Sequence, residues 1–344
     1  MELKEIIFDL CDLAAPSGFE DKAFERTSDY LAPYVDELKT DSMGNLIAVK
    51  RSGIQAADKL MLDAHMDEIG FIITGIEKSG FLRFDKLGGV DPRIMPAAEL
   101  KILTVPPIFG VIDTMPPHAL SKDEMDKAID PEKLFIDAGL SEEEAKKLIP
   151  LGTAAVFATG CTMLADNILC GKSLDDRACV AIIIKIMERL SKEKLSTDIY
   201  CLISTQEELG MRGALTGTYA VNPDCAIAID VTHAATPDSK KSKTMEMRKG
   251  AAIGIGPNMD RNMSEALLNT AKGKNIPHQT EVISGNSGTN GWVIQVSREG
   301  VSTAVLSLPI KYMHTPVETM CLDDAEATVE LVVEYIRSLE KEVL

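Results

Sequence analysis

The chain has 344 residues, of which 45% are hydrophobic, so it is long enough and apolar enough for a large globular core, either as two domains or as one domain with an insert. Its 36 basic and 53 acidic residues give a net charge of −17. This acidic excess argues against nucleic acid and anionic membranes as partners, because phosphate binding relies on clustered lysine and arginine.

The first predicted elements alternate between helix and strand. Apolar residues recur at helical spacing over 3–15, and 23–31 has the same character. The apolar runs 45–49 and 59–64 predict two strands. Helices and apolar strands in this order indicate that the N-terminal part belongs to an α/β domain.

Between about residues 70 and 165 the pattern changes to short apolar runs separated by glycine and proline. An acidic segment within this region, 121–148, has helical character. The short runs predict strands at 69–76, 81–84, 100–105, 108–112 and 153–158. Short strands with frequent turns are typical of a small β-rich domain.

After residue 165 helices again alternate with apolar, β-branched strands, a pattern that predicts a layered α/β sheet. The predicted helices are 177–193, 213–220, 263–274, 290–300 and 323–343. The predicted strands are 198–205, 225–231, 280–283 and 301–309. We therefore predict one α/β domain, residues 1–69 and 166–344, interrupted by a β-rich insert at residues 70–165.

No targeting or membrane segment is predicted from the sequence. The N-terminus has acidic residues within its apolar stretch and lacks the basic start of a signal peptide. No segment approaches the roughly 20 apolar residues that cross a bilayer. The seven cysteines include no Cys-x-x-Cys pair and fall mostly in apolar runs, so we expect reduced thiols in a cytoplasmic protein.

Carboxylates and imidazoles follow or interrupt apolar runs at several places in the α/β part. These residues are His65 and Asp67, Asp175 and Asp176, Glu207 and Glu208, Asp230, and His314. Because ligands bind at the carboxyl ends of strands in open α/β sheets, these side chains are expected to share one crevice. Imidazoles and carboxylates together suit borderline divalent cations such as Zn, Co or Mn, which would offset the cost of burying the charges.

Each place has a simpler interpretation when it is taken alone. Asp175 and Asp176 precede a predicted helix and would serve as its N-terminal cap. A glutamate pair is also common at a solvated strand end, and an isolated histidine is more often structural than a ligand. Asp230 fits these alternatives poorly because it lies at the tip of a buried strand, 225–231. Taken together, the set favours a metal site.

In order and spacing, these residues resemble the M42 family of co-catalytic metallo-aminopeptidases. The resemblance is carried by His65-x-Asp67, Leu174-Asp175-Asp176-Arg177, Gln206-Glu207-Glu208-Leu209-Gly210, Ile229-Asp230 and His314-Thr315-Pro316-Val317-Glu318. It extends to 16-PSGFE-20, 41-DSMGNLIA-48, 116-PPH-118, 287-SGTN-290 and 297-SREGVSTAVLSLP-309. It implies a three-layer αβα metallopeptidase domain with a mixed sheet, and a small PDZ-like or barrel insert that forms dimers within a tetrahedral dodecamer.

The resemblance also implies a role for each site residue. Two divalent metal ions, Zn, Co or Mn, would be bound by His65, Asp175, Glu208, Asp230 and His314. Asp175 would bridge the two ions, with Asp176 as the alternative. Asp67 would orient His65, and Glu207 would act as the general base in the hydrolysis of peptides with a free N-terminus.

The sequence departs from the family pattern at a few positions. Cys179 replaces a usual glycine, Asn290-Gly291 replaces a more usual Asp-Ala, and the segment 239–256 is unusually long and basic. These departures leave the preferred N-terminal residue open. A preference for acidic residues would need a basic group in the pocket, with Arg248, Lys249, Arg261 and Lys311 as candidates.

Two other classes of function are the alternatives. Paired carboxylates could serve an endoglucanase-type glycoside hydrolase, but its chemistry needs no histidines in register with acids, and 5% aromatic residues with one tryptophan offer little surface for stacking sugars. A non-catalytic peptide-binding scaffold would be expected to lack the base or a ligand. Glu207 and every expected ligand are present.

Overall fold

The fold is known from a computed structural model that describes residues 1–116, 118 and 129–339. The helices in that part of the chain are α1 Leu3–Asp12, α2 Asp21–Leu31, α3 Glu142–Leu148, α4 Leu174–Leu190, α5 Arg212–Val221, α6 Arg261–Lys274, α7 Gly291–Ile294 and α8 Leu322–Leu339. None of the helices in this described part has the length and apolar character that a bilayer crossing requires.

The strands belong to one large sheet and one barrel. Those of the sheet are β1 Glu37–Thr40, β2 Leu46–Lys50, β3 Lys59–His65, β10 Thr162–Met163, β11 Ile168–Gly171, β12 Asp198–Ser204, β13 Cys225–His233, β14 Ala251–Ile255, β15 His278–Val282, β16 Ser302–Lys311 and β17 Glu318–Cys321. Those of the barrel are β4 Gly70–Ile76, β5 Leu82–Leu87, β6 Glu99–Ile102, β7 Ile108–Ile112, β8 Ile136–Asp137 and β9 Ala154–Phe157.

The large sheet is mixed, and its centre is parallel. Its order is β1-β2-β12-β3-β13-β16-β17-β11-β10, with β14 paired to β16 and β15 to β14. The neighbours β12, β3, β13 and β16 run parallel to one another. Their carboxyl ends therefore lie along one edge of the sheet.

Helices cover both faces of the sheet. Alternate residues of β13 point to opposite faces, so Ile227 belongs to the core cluster that includes residues of α4 and α8, whereas Ala228 belongs to the cluster that includes residues of α5 and α7. Because strands buried on both faces are apolar throughout, the sheet strands appear in the sequence as continuous apolar runs. The predicted three-layer αβα class with a mixed sheet is confirmed.

The insert forms a closed barrel with its own core. Its strands close in the order β4-β5-β8-β7-β6-β9. Phe71 anchors the interior, and its ring meets the rings of Phe84 and Phe157 edge to face, each with centroids 5.3 Å apart. The domain limits at residues 70 and 165, and a role of the barrel in dimer formation, stay predictions.

Several predicted helices are shorter in the structure. Of the segment 290–300, only Gly291–Ile294 is helical, because a turn closed by the N–H of Gly300 follows. Part of 121–148 lies outside the described residues, and within 129–148 the helix begins only at Glu142, where the Ser141 hydroxyl caps it. The C-terminal helix is described to Leu339, and residues 340–344 lie outside.

Candidate metal centre

The parallel centre of the sheet brings the predicted site residues together at its carboxyl edge. His65 is the last residue of β3, Glu207 and Glu208 follow the end of β12, and His314 follows β16. Asp230 does not end its strand as predicted, since β13 continues to His233 and places Asp230 against Ser307 of β16. The longer strand still leaves the Asp230 side chain at this edge, with 6% exposure.

The first group of potential ligands consists of His65, Asp175 and Asp230. One ligand atom from each lies within 4.8 Å of the others, and all three residues are buried. The Nε2 atom of His65 is 3.1 Å from Oδ1 of Asp175. The other ring nitrogen, Nδ1, lies 3.1 Å from the backbone carbonyl of Asp67, which leaves Nε2 facing the two aspartates.

The second group consists of Asp175, Glu208 and His314, again with ligand atoms within 4.8 Å of one another. Nε2 of His314 is 3.2 Å from Oδ2 of Asp175 and 3.1 Å from Oε1 of Glu208. Asp175 therefore presents one carboxylate oxygen to each histidine. Asp176 belongs to neither group, because its Oδ2 accepts a hydrogen bond from the backbone N–H of His65 at 3.1 Å.

The backbone is irregular at both of the adjacent acidic pairs. Asp175 and Asp176 have non-helical dihedral angles within the range of α4, and the peptide bond between them is cis. After β12, Gln206 has a φ of 53°, and the carbonyl of Glu207 accepts hydrogen bonds from the N–H groups of Gly210 and Met211, both at 2.8 Å. The chain therefore turns over Gln206 to Gly210. The sequence predicts such a turn, because adjacent residues of a regular strand point to opposite faces whereas Glu207 and Glu208 are both expected at the site.

Asp67 holds the loop that carries the two glutamates. Its carboxylate accepts hydrogen bonds from the backbone N–H of Glu207 at 2.9 Å and of Glu208 at 3.1 Å. It also accepts one from the Ser17 hydroxyl and lies 3.4 Å from Nδ1 of His65. Asp67 thus contacts both the His65 imidazole and the loop that carries Glu207 and Glu208. Its structural role is therefore wider than the predicted orientation of His65.

Two further residues at the site were not identified from the sequence. The Glu318 carboxylate accepts hydrogen bonds from the backbone N–H of His314 at 2.8 Å and of Asp175 at 3.1 Å. The carbonyl of Gly89, from the barrel, lies 3.2 Å from Nδ1 of His314. Glu318 had a signal in the sequence, because it ends the His314-Thr315-Pro316-Val317-Glu318 motif of the family resemblance, whereas no sequence pattern marks Gly89.

Burial shifts the pKa of several carboxylates at the site. Burial raises the pKa of Glu207 to about 8, and burial also raises the pKa of Asp230 and Glu318 well above their ordinary values. Burial opposes ionisation of Asp175 as well, but hydrogen bonds with His314 and His65 lower its pKa. A crowded set of buried carboxylates and imidazoles fits divalent cations in both charge and donor type.

Comparison with known proteins agrees with the geometry. Residues 44–331 match the model of the family described as M42 glutamyl aminopeptidase. The chain belongs to the M42 family. It is therefore a metallo-aminopeptidase, a hydrolase that acts on peptides.

Individual relatives of this M42 chain align along nearly its whole length. A lysyl aminopeptidase of Pyrococcus furiosus is 35% identical, over 98% of this chain and 97% of that protein. An aminopeptidase structure from Desulfurococcus kamchatkensis has a TM-score of 0.90 at 36% identity, covering 97% of this chain and 94% of the other. The TET1 peptidase of Pyrococcus horikoshii, described as assembling into a tetrahedron or a large octahedral shell, has a TM-score of 0.86 at 30% identity, covering 97% and 98%.

Two of the residues that the sequence analysis set apart from the family pattern, Asn290 and Cys179, lie beneath the site. The Asn290 amide donates hydrogen bonds to Asp63 Oδ2 and Ser204 Oγ, both at 2.8 Å. The thiol of Cys179 is fully buried and interacts with the carboxyl group of Asp176. Both side chains therefore support strands and carboxylates below the ligand groups.

A buried ionic cluster connects the end of β3 to the start of α4. Glu68 receives hydrogen bonds from Lys172 Nζ at 2.8 Å and from Arg177 Nη2 at 2.9 Å. Burial would raise the pKa of Glu68, but the charges of Arg177 and Lys172 outweigh it and lower the pKa to about 2. The cluster is paired and hydrogen-bonded, as buried charges must be, and it fixes His65 relative to Asp175.

Proposed function

We propose that this M42 chain is a co-catalytic aminopeptidase that holds two divalent cations, Zn, Co or Mn, and removes N-terminal residues from peptides. The observation that carries this proposal is Asp175, which presents one oxygen to His65 and the other to His314. A carboxylate in this position can serve both ions of a two-metal site. His65 and Asp230 would complete one ion's ligands.

Glu208 and His314 would complete the ligands of the second ion. When bound, two divalent cations lower the pKa of water and polarise the substrate carbonyl. This ligand set contains only imidazole and carboxylate groups, which suit Zn, Co and Mn alike. A bound ion would also offer a ligand position to the free α-amine of the substrate, which would restrict cleavage to the N-terminal residue.

Glu207 is proposed as the general base. It is half-buried and interacts electrostatically with His65, Glu208 and Asp175, so its carboxylate lies next to the ligands without belonging to either group. In this role it takes a proton from the attacking water and delivers it to the leaving amine. Asp67 supports the step by holding the Glu207 backbone N–H at 2.9 Å.

We further propose that the chain forms a homo-oligomer, with dimers made through the barrel and assembled into a tetrahedral dodecamer. Similarity to the TET1 peptidase of Pyrococcus horikoshii supports this. The barrel also exposes apolar side chains, with Val105 97% and Phe109 65% exposed. Light scattering should give a mass near that of a dodecamer, whereas a monomer at micromolar concentration would contradict the assembly.

Glu207→Gln tests the proposed chemistry. Loss of a general base should lower kcat by about 10²- to 10⁴-fold. The metal content, measured by plasma mass spectrometry, should stay near that of the wild type, because Glu207 is not a ligand. A variant that keeps most of its activity would show that another group is the base.

A chelator distinguishes the peptidase from the glycoside hydrolase. Removal of the ions should abolish cleavage of aminoacyl p-nitroanilides, and re-addition of Zn, Co or Mn should restore it. Hydrolysis of a β-glucan that persists without metal would instead support the glycosidase. Metal-loaded protein that leaves every anilide intact would favour the peptide-binding scaffold.

A further inference from the structure

A cleft of about 440 Å³ lies beside the candidate metal centre. It is lined by Val231, Thr232, Glu281, Ser287, Thr289 and Ser307, among others. None of these residues belongs to either ligand group or to the proposed general base. The cleft is therefore separate from the proposed catalytic residues, although it lies next to them.

The cleft continues directly from the ligand Asp230. Asp230 and Thr232 are two residues apart on β13, so their side chains share one face and lie about 7 Å apart along the strand. Ser307, which also lines the cleft, is the partner of Asp230 in the parallel register. A side chain attached to the residue held at the metal centre can thus extend into this cleft.

Glu281 gives the cleft its chemical character. Its Oε1 accepts a hydrogen bond from the Thr232 hydroxyl at 2.6 Å, which fixes the carboxylate in place. Its Oε2 is buried and has no hydrogen-bond partner. A buried acceptor without a partner costs free energy, and a donor on a ligand would recover it. Of the described residues that line the cleft, Glu281 alone has a charged side chain.

We propose that this cleft binds the side chain of the substrate's N-terminal residue and that Glu281 selects a cationic one, lysine or arginine. The inference rests on the proposed aminopeptidase function and adds its substrate class. The methylene stem of a lysine would pack along Ile283, and its ammonium group would donate to the carboxylate of Glu281, whose Oε2 has no partner in the protein.

A preference for acidic N-terminal residues is disfavoured by the same cleft. A carboxylate side chain would meet Glu281 with no basic residue to balance it. The sequence offered Arg248, Lys249, Arg261 and Lys311 as basic candidates, and none of them lines the cleft. Arg261 lines a different cleft, next to Pro257 and Met259.

The first test needs no mutation. Lysyl and norleucyl p-nitroanilides differ in the side-chain ammonium group and little else. The ratio of their kcat/KM values on the metal-loaded wild-type enzyme therefore measures the contribution of the ammonium group. A charge-assisted hydrogen bond predicts a ratio of about 10 to 100 in favour of lysine. A ratio of one or below would overturn the selection by Glu281 while leaving the peptidase reaction established.

Glu281→Gln assigns the selectivity to the residue. This variant should lower the lysyl-to-norleucyl ratio by about 10-fold or more. Glu299→Gln removes an equivalent carboxylate that is exposed and lines another cleft, so it should leave the ratio unchanged and control for net charge. An unchanged ratio in Glu281→Gln would contradict the inference. If the wild type cleaves neither anilide, the proposed function itself fails, and this inference fails with it.

Discussion

The two ligand groups share Asp175 but differ in how the protein holds the rest of each group. The group of His65 and Asp230 is the sheet half of the centre. These two residues belong to neighbouring parallel strands, and the His65 side chain is 2% exposed. The group of Glu208 and His314 is the barrel-contact half. His314 lies beyond the end of β16, has a φ of 59° and has a side chain that is 32% exposed. One half is part of the core, and the other is assembled from loops.

The support beneath each half differs in the same way. His65 is tied to Asp67 and, through the Glu68 cluster, to the start of α4. His314 depends on Glu318 and on the carbonyl of Gly89, which arrives from the barrel. Geometry in the barrel-contact half therefore depends on how the barrel sits against the sheet, and the two halves should respond differently to mutation.

Asp175→Asn should have the largest effect because it removes the negative charge that both halves share and replaces one of the two ligand oxygens by an amide nitrogen that does not bind metal. Loss of a residue that merely supports a ligand costs about 10- to 100-fold in metal affinity, so loss of this shared carboxylate should cost more than about 1,000-fold in total. Metal content after dialysis and activity with aminoacyl anilides should fall together. Retention of one tightly bound ion would show that the halves are more independent than the geometry indicates.

Much of the sheet half could be predicted from the sequence. His65 and Asp230 interrupt or end continuous apolar runs, and parallel strands necessarily bring such ends to one edge. The layered α/β sheet followed from the same alternation of helices and apolar strands, whereas the three layers and the mixed sheet were implied by the family resemblance. Even the turn at Glu207 was predictable, because neighbouring side chains in a regular strand point to opposite faces.

The barrel-contact half could be predicted only in part. His314 and Glu208 were found because they are chemically conspicuous, but Gly89 has no side chain and reaches His314 only through tertiary packing. Glu281 was missed because its strand, β15, pairs at the far side of β14 from the centre of the sheet. The helix predicted over 290–300 is shorter in the structure for a local reason, the turn that ends at Gly300.

Glu68→Gln tests the rigidity of the sheet half. The substitution leaves Lys172 and Arg177 buried beside a neutral amide, and breaking a buried ion pair in this way costs about 3–5 kcal/mol of unfolding free energy. Urea denaturation at neutral pH measures the loss. Glu299→Gln, which removes an exposed carboxylate, should change stability by less than about 0.5 kcal/mol.

The pH dependence of stability provides a second measurement on Glu68. Its folded-state pKa of about 2 lies below the ordinary 4.5, so its carboxylate stabilises the fold above pH 4.5, and this contribution disappears as the pH falls towards 2. The stability difference between the wild type and Glu68→Gln should therefore shrink over that interval. A difference that stays constant would mean that the ionic cluster is not its source.

Gly89→Ala should have the smallest effect and should act on the barrel-contact half alone. A Cβ atom at this position would lie 2.7 Å from Nδ1 of His314 and 3.0 Å from its Cε1, so the imidazole must move. We expect the affinity for the ion in that half to fall about 10- to 100-fold while the ion in the sheet half stays bound. Calorimetric titration of the metal-free protein resolves the two affinities.

Gly75→Ala is the matched control, because it adds a methyl group to another barrel glycine. Its Cβ would meet only the Arg83 side chain, at 3.4 Å or more, far from both ligand groups. Normal metal binding in Gly75→Ala, together with a lower affinity for one ion only in Gly89→Ala, would show that the barrel helps to position His314. If Gly89→Ala lowered the affinity for both ions equally, the two halves would be one cooperative unit, and the distinction between core and loop support would be wrong.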